Sequence, residues 1–279
     1  MVQIVTDSNS GITPAMAKEM GIAGVCATYV IFNGQSYRDS IEISAEDFYK
    51  RLQAEPNLPT TSAPSVGDFE DIYRQLKGQD VVSLHISRQL SATIQAAENA
   101  AQLLEGDPKV SLVDTRFVNA GQALLVIEAL KLARQGKGAA EIKSTVEALI
   151  PRVRMHLVLE TLENLKRGGR ISNTSAFIGN LLQMKPILTI KDGKVEPLER
   201  VRTTSKAIAR LKEIVQHDLQ GKNNPQVMLL QSNAPAAIAQ FRSEIKQLLN
   251  LNYEPMDVEA GPAVGTHSGP GALGIAYII

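Results

Sequence analysis

The stretch "DVVSLHISRQLSATIQAAENAAQLL", residues 80–104, contains the unit from which the first half of this chain is built. Its opening run, DVVSLHIS, is short, apolar and rich in β-branched residues, which predicts a buried strand. A polar loop follows, SRQLSAT (87–93). Ser91 then stands before ATIQAAENAAQLL, whose apolar spacing predicts a helix that Ser91 introduces. Strand, polar loop and helix in that order make half of a parallel sheet with crossover helices.

Other copies of the unit lie on both sides. VQIVT (2–6), AGVCATYVIF (23–32) and KVSLVD (109–114) read as strands, and Thr13-Pro14, Ser44 with Asp47, and Ser65 before VGDFEDIYRQL read as helix starts. Ligands of open α/β sheets sit outside the carboxyl ends of the strands. Three polar stretches are therefore expected at one edge: TDSNS (6–10), SRQLSAT (87–93) and DTRFVN (114–119). Two long helical patterns, 119–135 and 138–150, lead to Pro151, where the pattern changes. VRMHLVL (153–159) alternates like a half-exposed strand, and KDGKV (191–195) reads as a D-G hairpin turn between PILTI and VEPLERV. Helices near 203–219 and 234–248 and strands at QVMLLQ and LGIAYII complete the chain. The expected fold is α/β in two domains: 1–150 as an α/β/α layer with a parallel sheet, and 151–279 as a two-layer unit with a mixed sheet.

The chain has 29 basic and 29 acidic residues, so no overall field draws it to nucleic acid or membrane. Its single cysteine, Cys26, lies in an apolar run and reads as a small buried hydrophobe in a reducing cytosol. No basic start precedes a long apolar core, and no window approaches the ~20 apolar residues of a membrane span. A cytoplasmic protein without a transmembrane segment is expected.

Four histidines occur, without H-E-x-x-H and without Cys or acids at ligand spacing, so no metal site is expected. His85 and His156 fall in predicted strands and His217 near a helix end, all read as structural. His267 differs, because it lies in "GTHSGPGALG" (265–274). Gly269, Gly271 and Gly274 spell G-x-G-x-x-G, but only IAYII follows, which leaves no room for the helix and the ribose-binding acid of a dinucleotide site. A bent glycine loop with His267 exposed at its mouth is expected instead, able to donate to an anion or act as an acid or base. Hydroxyls cluster in PTTSAPS (59–65), a loop with proline at both ends, which carries Thr60, Thr61, Ser62 and the helix-capping Ser65. A helix N-terminus with a hydroxyl at its cap is also a site for a carboxylate or phosphate. No G-x-S-x-G surrounds any serine, which speaks against a hydrolase nucleophile. Finally, LKRGGRIS (165–172) opens onto a basic region: residues 151–212 hold 13 Lys or Arg against 5 Asp or Glu, with Phe177 as the only aromatic. That face suits a phosphorylated ligand, RNA or an acidic partner, although one aromatic makes no stacking platform.

Taken together and in order, these loops resemble the DegV family of bacterial fatty-acid-binding proteins along nearly the whole chain. IVTDSNS (4–10) is similar to that family's first strand and loop, TSAPS (61–65) to its T-S-Q-P-S, and LSAT (90–93) to its L-S-G-T. LKRGGRIS (165–172), MKPIL (184–188) and GTHSGPGALG (265–274) resemble the remaining signatures. Ala63 stands where the family has Gln, removing an amide, and Ala92 where it has Gly, adding a methyl group near the pocket. The resemblance implies a long-chain fatty acid buried between or within the domains, its carboxylate held by Thr61, Ser91 and His267. Ser62, Thr93, Arg170, Gly265 and Gly269 would support the pocket. It also implies a partner, an ATP-dependent fatty acid kinase that makes acyl phosphate for phospholipid synthesis. This chain has no G-x-x-x-x-G-K-[ST], so it would be the carrier with no catalytic residue and no cofactor of its own. Arg200, Arg202 and Lys206 are the expected kinase contacts, with no nucleic acid and a transient membrane contact left open. Two alternatives stand beside this. One is an enzyme using His267 on a small carbonyl or ester substrate, as the family's fold-level likeness to the substrate-binding part of dihydroxyacetone kinases suggests. The other is a nucleic-acid-binding regulator using the basic 151–212 face.

Overall fold

The computed structural model describes residues 1–171 and 185–279. Ser172 of LKRGGRIS, Phe177 and Met184 of MKPIL lie outside the described residues. Strands β1 (Gln3–Asp7), β2 (Gly24–Cys26), β6 (Asp80–His85) and β7 (Lys109–Asp114) form a parallel sheet in the order β2-β1-β6-β7. Side chains alternate across its strands, so each face finds its own helices. Val5, Val81 and Leu112 pack toward α3 (Val66–Arg74) and α4 (Thr93–Leu103). Ile4, Val82 and Val113 pack toward α5 (Ala120–Arg134) and α6 (Ala139–Leu149). The result is the expected α/β/α layering.

AGVCATYVIF does not make one strand. β2 ends at Cys26, and β3 (Tyr29–Phe32) joins a different, antiparallel sheet with β4 (Gln35–Arg38) and β5 (Thr60–Ser62). β5 lies inside PTTSAPS, which was expected to be loop. Its prolines, Pro59 and Pro64, fall outside the three strand residues, so they remove no hydrogen bond from the ladder. Helix starts follow the expected chemistry at α1 (Pro14–Met20), α2 (Ala45–Ala54) and α3, where Thr13, Ser44 and Ser65 accept from the backbone three residues on. Ser91 does not cap α4: Ala92 holds the cap position, one residue later.

The second sheet is mixed and six-stranded. β8 (Val153–Val158), β9 (Lys185–Lys191), β10 (Lys194–Val201), β11 (Val227–Gln231), β12 (Met256–Glu259) and β13 (Leu273–Ile278) take the order β10-β9-β8-β13-β11-β12. Asp192 and Gly193, at φ 49° and 80°, make the D-G turn between β9 and β10. One face carries α8 (Thr204–Asp218) and α9 (Pro235–Leu248) over Leu229, Ile275 and Tyr277. The other face carries Met155, Leu188, Met228 and Ala276, and α5 packs there on β8, β11 and β13. That helix is packed by both sheets, which explains why AGQALLVIEALKLAR is apolar nearly all round. Short α7 (Glu163–Arg167) and α10 (Pro262–Ser268) lie against each other. Among the described residues, no helix is long and apolar enough to cross a membrane.

Candidate functional site

A cavity of about 380 Å³ lies between the two sheets, lined by residues from both halves of the chain. Leu157, Leu188, Ile190 and Val195 of β8, β9 and β10 form an apolar wall, with Ile86, Leu90 and Val118 opposite. Against these stand a few polar groups: Asn9, Thr28, Thr61, Ser62, Ser91, Arg170 and His267. An apolar cavity with few convergent polar side chains suits a ligand that is mostly hydrocarbon with one polar group.

Thr61 and His267 are 206 residues apart in sequence, yet Thr61 Oγ1 lies 2.9 Å from His267 Nε2. β5 brings the threonine through its pairing with β3, Val30 opposite Thr61. α10 brings the histidine, which corrects the expectation of a glycine loop: residues 262–268 are helical, and the loop begins at Gly269. His267 is therefore half-buried, not exposed. Burial, reinforced by the nearby Arg170 guanidinium, pushes its imidazole down to about 4. At neutral pH the ring is uncharged, with one N–H donor and one acceptor nitrogen. Its Nδ1 is buried and has no hydrogen-bond partner among the described residues. The ring packs on Gly168, where any Cβ would fall on Nδ1.

The remaining candidates divide by position. Ser62 and Ser91 line the cavity, and so do Ala63 and Ala92, so both departures from the family pattern border the ligand space. Thr93 is buried behind Ser91 and holds it, hydroxyl to hydroxyl, at 2.8 Å. Arg170 donates to Gly168 O at 2.6 Å and Leu90 O at 3.3 Å, tying the α7 end to the loop before Ser91. Gly265 and Gly269 do not line the cavity but seat α10. A Cβ on Gly265 would lie 2.6 Å from Tyr49 Oη, and Gly269 leaves the helix at φ 67°. A second hollow of about 370 Å³ shares Thr61, Arg170 and His267 with the first. Arg200, Arg202 and Lys206 touch neither hollow and are exposed. Much of the basic excess nearby is spent: Arg210 pairs with Glu199 and Glu213, Lys185 with Glu160, and Lys212 with Glu244. Among the described residues, Arg200, Arg202 and Lys206 make no ion pair.

His85 and His156 are buried strand residues and Cys26 is a buried thiol, as expected. Among the described residues, no group of three or more His, Cys, Asp or Glu is arranged to hold a metal. Asn9 and Thr28 also line the cavity, though neither stands out in the sequence as an individual residue. The polar run TDSNS at a strand end carried a signal for Asn9. Thr28 was hidden inside AGVCATYVIF, where a β-branched residue reads as strand.

The DegV family model, described as "Uncharacterised protein, DegV family", matches residues 1–279. This chain belongs to the DegV family. A DegV domain-containing protein of Deinococcus radiodurans is 37% identical to it over 279 residues, covering 99% of this chain and 97% of the relative. A solved DegV family protein from Thermus thermophilus, described for its fatty acid binding, superposes with a TM-score of 0.91 at 35% identity, covering 100% and 99% of the two chains. A Bacillus subtilis DegV, described as a fatty acid binding protein, gives 0.90 at 29% identity, covering 100% and 99%. The α/β architecture of this DegV chain is thus that of structures whose names record bound or binding fatty acid.

Proposed function

We propose that this chain binds a long-chain fatty acid in the cavity between its sheets and presents the carboxylate to an ATP-dependent kinase. The observation that carries the reading is the 2.9 Å pairing of Thr61 with a neutral, half-buried His267 in the polar part of an otherwise apolar cavity. Thr61, Ser91 and His267 hold the carboxylate; Ser62, Thr93, Arg170, Gly265 and Gly269 keep those three in place. Hydroxyls and a neutral imidazole satisfy an anion without a permanent countercharge, which leaves the carboxylate reactive. The tail supplies most of the affinity. At about 0.8 kcal/mol per methylene, ~14 methylenes gain on the order of 11 kcal/mol before ordering costs.

The kinase half of the proposal rests on two features. Thr61, Arg170 and His267 line a second hollow as well as the first, so the head group would be approachable from a side the tail does not occupy. Lys206 stands in the first turn of α8, where a positive charge opposes the helix dipole. With Arg200 and Arg202 it makes the contact surface for the kinase. On this reading the chain is a cytoplasmic, non-catalytic carrier in phospholipid synthesis, and acyl phosphate is the partner's product. The division into 1–150 and 151–279 belongs to the same proposal, since it puts the ligand in the seam between two units.

Native mass spectrometry of the purified protein, followed by lipid extraction, tests the binding. A mass increment matching an extractable fatty acid from the expression host is expected. A ligand-free protein that also ignores added fatty acid overturns the reading.

A further inference from the structure

Below the polar part of the cavity runs a chain of buried groups that the proposed function leaves unused. Asp7, Tyr73, Ser83 and His85 are 0% exposed, Thr28 3% and Asn9 5%. The hydrogen-bond directions in this chain follow from one backbone group. The Asn9 N–H donates to Asp7 Oδ1 at 3.0 Å, so that oxygen is an acceptor. The Asn9 side-chain amide lies 2.8 Å from the same oxygen and must face it with its NH2. The second hydrogen of that NH2 meets Thr28 Oγ1 at 2.7 Å. Thr28 Oγ1 therefore accepts, and its own O–H needs an acceptor elsewhere.

Nothing on the far side of Asp7 can reverse this order. Ile86 N–H and the Gln122 amide both donate to Asp7 Oδ2 at 3.1 Å, and His85 Nδ1 lies 3.0 Å from it. His85 Nε2 is 2.7 Å from Ser83 Oγ, which accepts from Tyr73 at 2.9 Å. The donors run from Tyr73 through Ser83 and His85 into Asp7. Thr28 is also pinned through its backbone: its N–H donates to Ser8 Oγ at 3.0 Å and its carbonyl accepts from Asp39 N at 2.8 Å. Among the described residues its hydroxyl hydrogen has no acceptor, and Thr28 is one of the residues that line the cavity. A saturated tail offers no acceptor either; the only one such a ligand carries is its carboxylate. Thr28 immediately precedes β3, whose Tyr29 and Val30 pair with Ser62 and Thr61, so it sits beside the strand that supplies Thr61.

We propose that Thr28 is a further binding residue, a hydroxyl donor to the anionic head of the ligand, and that Asp7 and Asn9 are positioning residues that force its hydrogen toward the cavity. This rests on the fatty-acid reading above and deepens it.

The test compares hexadecanoate with hexadecanol in the full chain, stripped of lipid, by titration. Thr28→Val keeps the shape and removes the donor. It should weaken hexadecanoate roughly 10- to 100-fold, as for a hydrogen bond to a charged group, and hexadecanol by less than about threefold. Thr28→Ser should bind hexadecanoate within about threefold of wild type. Thr28→Ala repeats the donor loss if the valine variant folds poorly. Unchanged hexadecanoate affinity in Thr28→Val and Thr28→Ala, or equal losses for both probes, would overturn the assignment. A wild-type chain that binds neither probe removes the fatty-acid reading itself, and the role of Thr28 with it.

Discussion

Gly168 and Gly169 are neighbours, yet alanine should weaken ligand binding at the first and leave it unchanged at the second. Gly168 has φ −70° and ψ −10°, ordinary helical values that alanine adopts freely. Its Cβ, however, would fall on the His267 ring, against Nδ1 and 2.7 Å from Cε1. The ring must move, and the 2.9 Å bond from Nε2 to Thr61 goes with it. Losing the aligned head-group donor should cost about 1.5–3 kcal/mol, or roughly 10- to 150-fold in Kd for hexadecanoate. Stability should fall as well, by up to about 3 kcal/mol. Repacking costs about 1–3 kcal/mol, and alanine's better helix propensity returns up to ~1 kcal/mol. Gly169 is the reverse case. It sits at φ 67° with no atom within 4 Å of a Cβ, so alanine there should cost about 1–2 kcal/mol of stability while leaving affinity unchanged. Titration with hexadecanoate and thermal unfolding of both variants give the two readouts. A third variant closes the argument: with His267→Ala in the background, Gly168→Ala should have no further effect on affinity, because its target is gone. Wild-type affinity in Gly168→Ala, or full additivity with His267→Ala, would refute the idea that Gly168 acts by making room for the imidazole.

Acid should destabilise the lipid-free protein through His267 and His156, both pushed down to about 4 chiefly by burial. The unfolded chain binds protons near pH 6.5 while the fold resists them, so this stability is present above 6.5 and lost as pH falls toward 4, about 2 kcal/mol per histidine at pH 5 and about 3 below pH 4. Asp39 works the other way. Burial raises its carboxyl to about 6, so the fold gains from its protonation as pH falls from 6 to 3.8. His267→Gln should therefore lose about 2 kcal/mol less than wild type between pH 7.5 and 5 in urea titrations; parallel curves would count against the buried neutral histidine. At the proposed kinase surface, Arg202→Glu with Lys206→Glu should slow acyl-phosphate formation at low salt, with the difference shrinking as salt rises and hexadecanoate affinity unchanged. Full turnover of the double reversal at every salt concentration would remove that surface from the mechanism.

What could be read from the residues alone was whatever depends on near neighbours. The Ser65 cap, the Asp192-Gly193 hairpin and the two long helices α5 and α6 each rest on contacts within a few residues, so their signals are complete in the local string. The strands around DVVSLHIS and KVSLVD were legible for the same reason, and the three polar stretches at their carboxyl edge are joined there, Ser87 N–H donating to Phe117 O and Asn119 N–H to Asn9 O. His267 stood out by its glycine-rich surroundings, whereas Thr61 and Ser91 were tied to a carboxylate only through the resemblance of their loops to one family, since nothing local distinguishes those two from ordinary caps and turns. Only the tertiary structure decided that β5 is a strand, because three residues become one solely through the hydrogen bonds that β3 provides. It also decided that His267 ends a helix, half-buried and uncharged: its ionisation depends first on burial, which the fold alone creates, and then on Arg170, about a hundred residues away in sequence. Thr28 is the clearest case. A threonine in an apolar run carries no sign of where its hydroxyl hydrogen points, because that direction is inherited from Asp7 through Asn9, and two side chains 19 residues apart exchange it only once the sheet has closed.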